Sequence, residues 1–211
     1  KDPFALRRAT LGILRMLIEK ECDLDLKALI AETIKLYQDK LSNPTVAEDV
    51  WAFCQERLKH WAQSEGFSTE IYRAVAFKQL SNPLDIKRRL DAVKQFSALP
   101  EAQALSEANK RVKNILAKNN NTLQDHINDA ALKEPAEKTL AKTITDKQKT
   151  LTALNYTDTL KSLASMQADV DQFFEDVMVM ADEPALRDNR LALLNQLRAL
   201  FLRVADISTL S

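Results

Sequence analysis

Residues 173–208 read FFEDVMVMADEPALRDNRLALLNQLRALFLRVADIS. Within them Leu186, Leu193, Leu194, Leu197, Leu200 and Phe201 recur at intervals that gather apolar side chains on one face of an α-helix. Phe173, Phe174, Val177, Met178 and Met180 form a second apolar group just upstream. Two long helices are therefore expected, spanning residues 157–180 and 183–207. The Ala181-Asp182-Glu183-Pro184 link between them is short enough to make them antiparallel neighbours with packed apolar faces. Each such side chain stabilises by roughly 1.5–3 kcal/mol on burial, before entropy is subtracted. Met178 and Met180 are expected in this core rather than as a soft surface for an unstacked base.

The same helical grammar extends over the rest of the chain. Glycine occurs only twice in 211 residues and proline six times, so sheet turns that need positive φ have almost nothing to build them. An all-α fold follows, a helical bundle of about nine or ten helices. Asp2-Pro3 signals a first helix, reaching Glu19, and the apolar set Leu26, Leu29, Ile30, Ile34, Leu36 and Leu41 a second. Thr45 with Glu48 reads as a capping box for a third helix, ended by Gly66, after which Ser68 opens a short fourth. The string Leu-Ser-Asn-Pro occurs at 41–44 and again at 80–83, which fits two helices that begin at Asn-Pro better than an internal repeat. Further helices are expected from Pro83 to Ala98, from Pro100 to Lys118 and, after an Asn119-Asn120-Asn121 loop, from Thr122 to Leu132. Pro135 opens a stretch with a thin apolar face, expected to be mobile or turned toward a partner.

Composition excludes several classes of function. No apolar run approaches the roughly 20 residues of a membrane span and no leader pattern opens the sequence, so a cytoplasmic protein without membrane partners is expected. Cys22 and Cys54 lack metal or redox spacing and read as buried thiols. His60 and His126 lie far apart, away from any cluster of nucleophiles or metal ligands, which disfavours a metal or triad hydrolase. Thirty basic and thirty acidic side chains balance, yet residues 78–118 carry a local net of +5 and residues 170–211 a net of −3. That separation suits a protein that holds phosphate on one selected face; it also suits ordinary solvated helix surfaces.

The stretch from Phe173 to Ser208 closely resembles the C-terminus of the bacterial glycyl-tRNA synthetase β-subunit family. Pro184-Ala185-Leu186-Arg187 occupies the place of that family's DALR signature, proline standing for the aspartate, while Asp182, Glu183 and Asp188 keep negative charge near the helix start. Asp2-Pro3-Phe4-Ala5-Leu6-Arg7-Arg8 is similar to the segment after the family's HD-like domain, and Ala108-Asn109-Lys110-Arg111-Val112-Lys113-Asn114-Ile115 resembles its central basic motif. The resemblance spans the chain and implies a fragment of a longer subunit. It implies residues 1–98 as a helical body segment and 99–211 as a DALR-type anticodon-binding domain. It further implies tRNA specific for glycine as ligand, an α subunit as partner in an assembly of two α and two β subunits, and ATP used by the whole enzyme. Consistent with a non-catalytic part, the chain holds no HIGH-like or KMSKS-like string and no Gly-rich phosphate loop, so no cofactor is expected here.

Candidate RNA contacts follow from chemistry. Arg111 offers a planar fork, Lys110 and Lys113 point charges, and Asn114 a paired donor and acceptor for a base edge, although Asn114 also suits a bond to a neighbouring helix. Lys87, Arg88 and Arg89 suit tracking of a phosphate backbone or plain solvent exposure. Arg187 and Arg190, three apart, point either at RNA or at Asp176 and Asp182. Phe173 and Phe174 face different ways on a helix, leaving one free to stack or both packed in the bundle. The alternative function is a helical scaffold that docks another synthetase subunit through the thin-faced stretch 133–155 without reading the anticodon.

Overall fold

Helix starts and stops are set locally by asparagine, serine, proline and glycine, and the computed structural model, which describes residues 4–37, 40–119 and 126–211, shows how. Among the described residues there are ten α-helices and no strand. They are α1 Leu6–Glu19, α2 Leu26–Tyr37, α3 Val46–Ser64, α4 Thr69–Ala76, α5 Pro83–Ser97, α6 Ala102–Lys118, α7 Pro135–Thr150, α8 Tyr156–Ala164, α9 Gln167–Asp176 and α10 Pro184–Leu202. The chain forms two compact units, Lys1–Leu90 and Asp91–Ser211, divided within α5. The Asp2-Pro3 start signal and much of the loop and helix expected at 119–132 lie outside the described residues.

In the first unit α1 and α2 pack on α3, and α3 on α4. Leu14, Leu17, Ile18, Leu58, Trp61, Phe67 and Val75 fill its core. Gly66 has φ 79°, and the Phe67 and Gly66 amides donate to the Ala62 and Gln63 carbonyls at 3.0 and 3.1 Å, a Schellman stop for α3. Phe67 then packs its ring 6.4 Å from that of Trp61, the apolar contact that accompanies this motif. Gly66→Ala is expected to cost about 1 kcal/mol, because a Cβ disfavours the left-handed conformation; an unchanged urea midpoint would show that the turn relaxes freely. Ser68 caps α4 by accepting from the Ile71 amide. The capping box expected at Thr45 does not form: its hydroxyl donates to Asn43 and to Asp49, which satisfies the side chains and leaves the helix amides uncapped by it. Both Asn-Pro steps open helices, Asn43 accepting from the Thr45 amide and Asn82 from the Leu84 and Asp85 amides. On α2 only Leu26 is buried; Leu29 and Leu36 face outward, since the face that turns inward carries 26, 30 and 34, one helical turn apart.

In the second unit α10 is buried nearly all round and packs chiefly on α6 and α7, while α9 lies against α7 and α6. The single helix expected over 157–180 is instead two helices followed by an extended strap, so α10 does not take α9 as its main neighbour. Ser165 explains the break. Its hydroxyl donates to the Ser162 carbonyl at 2.8 Å, Lys147 Nζ donates to the hydroxyls of both serines at 2.9 Å, and the wholly buried Met166 takes its amide to Leu163. After Asp176 burial alternates with period two: Val177 and Val179 are buried, whereas Met178 is 75% and Met180 54% exposed. The two methionines therefore face solvent, not the core expected for them.

Residues Asp129–Ala131 form a 3-10 turn rather than the end of a helix. Asn128 there is held by the buried Asn189 of α10, whose amide accepts from the Asn128 N–H at 2.7 Å and donates to its carbonyl at 3.1 Å. The thin face of α7, Ala136, Leu140, Ala141 and Ile144, is buried within this unit, as is the whole of Glu137. α9 and α10 cover it, so this face is packed inside the unit rather than turned outward.

Candidate nucleic-acid interface

Helix α6 is amphipathic, and its two faces divide the basic motif. Leu105, Asn109 and Val112 point inward. Lys110, Arg111, Lys113, Asn114 and Lys118 are exposed. Lys110, Asn114 and Lys118, spaced four apart, form one stripe. With Glu107, Arg111, Ile115 and Ser211 they line an open groove of about 460 Å³. Lys110 Nζ donates to the Ser211 oxygen at 3.2 Å, and the Asn114 side chain has no hydrogen-bond partner among the described residues.

Arg111, which lines this groove, has its guanidinium carbon 4.3 Å from the centroid of the Phe174 ring, a cation–π stack that holds the plane in place. Phe174 in turn meets the buried Phe173 edge to face, centroids 5.6 Å apart. Neither phenylalanine is free: one is core and the other carries the arginine. A second groove, about 400 Å³, shares Glu107 and Arg111 with the first and is lined besides by Ala104, Ala108, Asp171, Phe174 and Glu175.

Lys113 is anchored from the chain's far end. Its Nζ donates at 3.2 Å to Asp206, which also accepts from Arg198 at 3.2 and 3.0 Å and from the Ser208 hydroxyl at 2.6 Å. Burial would raise the Asp206 carboxyl, but Arg198, Ser208 and Lys113 outweigh it and hold the pKa at about 2. The Lys113 side chain remains 47% exposed, a half-free charge on a fixed mount.

The remaining candidates separate by burial. In the first unit Arg88 is exposed, Lys87 is half-buried with Nζ 5.9 Å from the Phe67 ring centroid, and Arg89 is buried with Nε donating to Asp85 at 3.0 Å. Arg187 is half-buried and reaches the Ala181 carbonyl at 3.5 Å. Arg190 is buried: its Nε donates to Glu137 and its Nη1 to the Met178 carbonyl at 2.8 Å. The guanidinium of Arg89 is thus paired with Asp85, and that of Arg190 with Glu137 rather than with Asp176 or Asp182. Lys118 and the carboxylates of Asp171 and Glu175 were missing from the sequence candidates. Lys118 was accessible to helical spacing from Lys110; the two acids were not, because α9 meets α6 only in three dimensions.

Two family models match the chain. The glycyl-tRNA synthetase beta subunit model covers residues 1–77, and the DALR anticodon binding domain model covers 105–208. The chain is 48% identical, over its whole length, to the glycine–tRNA ligase beta subunits of Edwardsiella ictaluri and Yersinia pestis. The chain belongs to the glycyl-tRNA synthetase β-subunit family. It spans 31% of the length of these relatives. The β-subunit match lies in the first unit and the DALR match in the second, with the exposed stripe of α6, the Arg111–Phe174 stack and the Asp206 anchor all inside the DALR segment. Lys87, Arg88 and Arg89 fall outside both matches. Among the described residues no helix is long and apolar enough to cross a membrane.

Proposed function

We propose that this chain is the tRNA-binding C-terminal region of a glycine–tRNA ligase β subunit, with residues 99–211 as its anticodon-binding domain and 1–98 as a helical body. The catalytic centre and the use of ATP belong to the rest of the enzyme, an α subunit is its partner in an assembly of two α and two β subunits, and the cytoplasm is its place of work. The observation that carries this reading is the exposed stripe Lys110, Arg111, Asn114 and Lys118 along a groove inside the DALR-matched segment. Lysines one turn apart can follow a phosphate backbone, while Arg111 and Asn114 offer a plane and an amide to unpaired bases. Arg88, Lys87, Lys113 and Arg187 retain exposed surface and remain candidates for further contacts.

Binding of the chain to a glycine tRNA transcript, measured across several salt concentrations, tests this. Lys110→Ala together with Lys118→Ala is expected to lower the slope of log affinity against log salt by about two, one for each lost phosphate contact. Lys161→Ala, on the exposed side of α8, is expected to change nothing. No binding at low salt, or equal slopes for all variants, would overturn the assignment.

A further inference from the structure

Helix α1 is apolar on two sides, and only one of them is covered. Leu14, Leu17 and Ile18 are buried in the first unit, where α1 packs on α3. Leu6, Ala9, Ile13 and Met16, three and four residues apart, run down a second face that is exposed, Leu6 and Met16 by more than half. Single apolar residues are ordinary on a surface, but four in register on one helix form a stripe that wants cover. Arg8 and Arg15, seven apart, border it as a polar rim beside an apolar centre, the arrangement of protein interfaces. The next helix, α2, is short of cover too: eight of its twelve residues are apolar and only Leu26 is buried.

Gly12 sits on the same exposed side of α1. It is one of only two glycines in the chain, and the other, Gly66, serves a turn. Glycine weakens a helix interior relative to alanine. Nothing lies within 4 Å of where a Cβ would stand at Gly12, so no contact inside the unit requires it, whereas a second backbone laid closely on this face would.

The size of the stripe selects the occupant. From Leu6 to Met16 it runs about 15 Å and is one helix wide. A free protein partner needs roughly 800 Å² on its side of a stable interface, several times more than that. A segment of the same chain needs far less, because tethering gives it a high effective concentration. The relatives have such a segment: this chain matches the C-terminal part of β subunits and spans 31% of their length, so most of such a subunit precedes α1. The model of the β subunit, not that of the anticodon module, matches residues 1–77.

We infer that the outer face of α1 is the seat on which the preceding part of the same β subunit packs, through an apolar surface that approaches Gly12 closely. This rests on the proposed reading of the chain as the C-terminal region of a β subunit.

Thiol labelling reads this face. Ile13→Cys, Met16→Cys and, as a control in the second unit, the exposed Lys161→Cys are each made in the 211-residue chain and in the full-length β subunit, and alkylation of the new cysteine is followed by mass spectrometry. In the full-length subunit positions 13 and 16 are expected to label roughly tenfold or more slowly than in the shorter chain, since the face must first open, while position 161 labels equally in both. That protection is independent of protein concentration, as an intramolecular contact requires. Gly12→Ala is expected to raise the urea midpoint of the 211-residue chain and to fail to raise that of the full-length subunit, where the seated segment leaves no room for a methyl group. Equal labelling in both proteins, or a rise with Gly12→Ala in both, overturns the inference. Protection that grows with concentration assigns the face to a second copy, and protection that appears only when the α subunit is added assigns it to that subunit; either overturns it as well. Binding of a glycine tRNA transcript is measured in parallel: if it persists without protection, the proposed RNA-binding function stands and only this inference falls, and if protection is seen without tRNA binding, the reverse holds.

Discussion

Replacing Arg190 by methionine is expected to lower unfolding free energy by about 3–5 kcal/mol, the largest single effect outside the apolar core. Glu137 is wholly buried, and one of its oxygens accepts from the Lys133 and Glu134 amides at 2.7 and 2.8 Å, closing the start of α7. Its other oxygen has only Arg190 among the described residues. Methionine fills much of the arginine's volume but strands that carboxylate in the core and frees the Met178 carbonyl, so the strap 177–180 loses its fastening to α10 as well. Arg190→Lys is expected to recover little, because a point charge cannot bridge Glu137 and Met178 as a planar fork does. Urea unfolding of the three proteins decides it: a loss below about 1 kcal/mol for Arg190→Met would mean the pair is dispensable.

Acid should loosen the second unit through Asp206. Its folded pKa of about 2 lies below the ordinary 3.8, so the folded state favours the charged carboxylate. The corresponding stability is present in full above the ordinary carboxylate value and is lost as pH falls through the folded one. Between about pH 4 and pH 2 roughly 2 kcal/mol should disappear. Asp206→Asn should show that loss already at neutral pH and a flatter profile across the same window, and it should release Lys113 and Arg198 from their mount. If the wild-type and Asp206→Asn curves run parallel from pH 5 to pH 2, the anchor is not what titrates. Because Lys113 lies on the exposed face of α6, the same variant also asks whether a fixed charge there matters for RNA affinity.

Sequence alone determined the helical class and most helix boundaries. Both rest on short-range physics: the scarcity of glycine, the Schellman stop at Gly66, the Ser68 cap, the two Asn-Pro starts and the three- and four-residue apolar spacing each act within a few residues. It also carried the family, since the strings at 2–8, 108–115 and 173–208 lie in order along the chain. Where local signals competed it failed, as at Ser165, where hydroxyls and a lysine from α7 break a helix that the apolar pattern would continue. Only the tertiary structure decided which cations are available. Arg88 and Arg89 are adjacent, yet one is exposed and the other buried on Asp85; Arg187 and Arg190 share a helix side, yet only Arg190 is spent on a carboxylate 53 residues away. The Arg111–Phe174 stack and the groove beside it likewise join α6 to α9. A charge is free or committed according to what lies within a few ångströms of it, and in a folded chain that neighbour is set by packing, not by sequence distance.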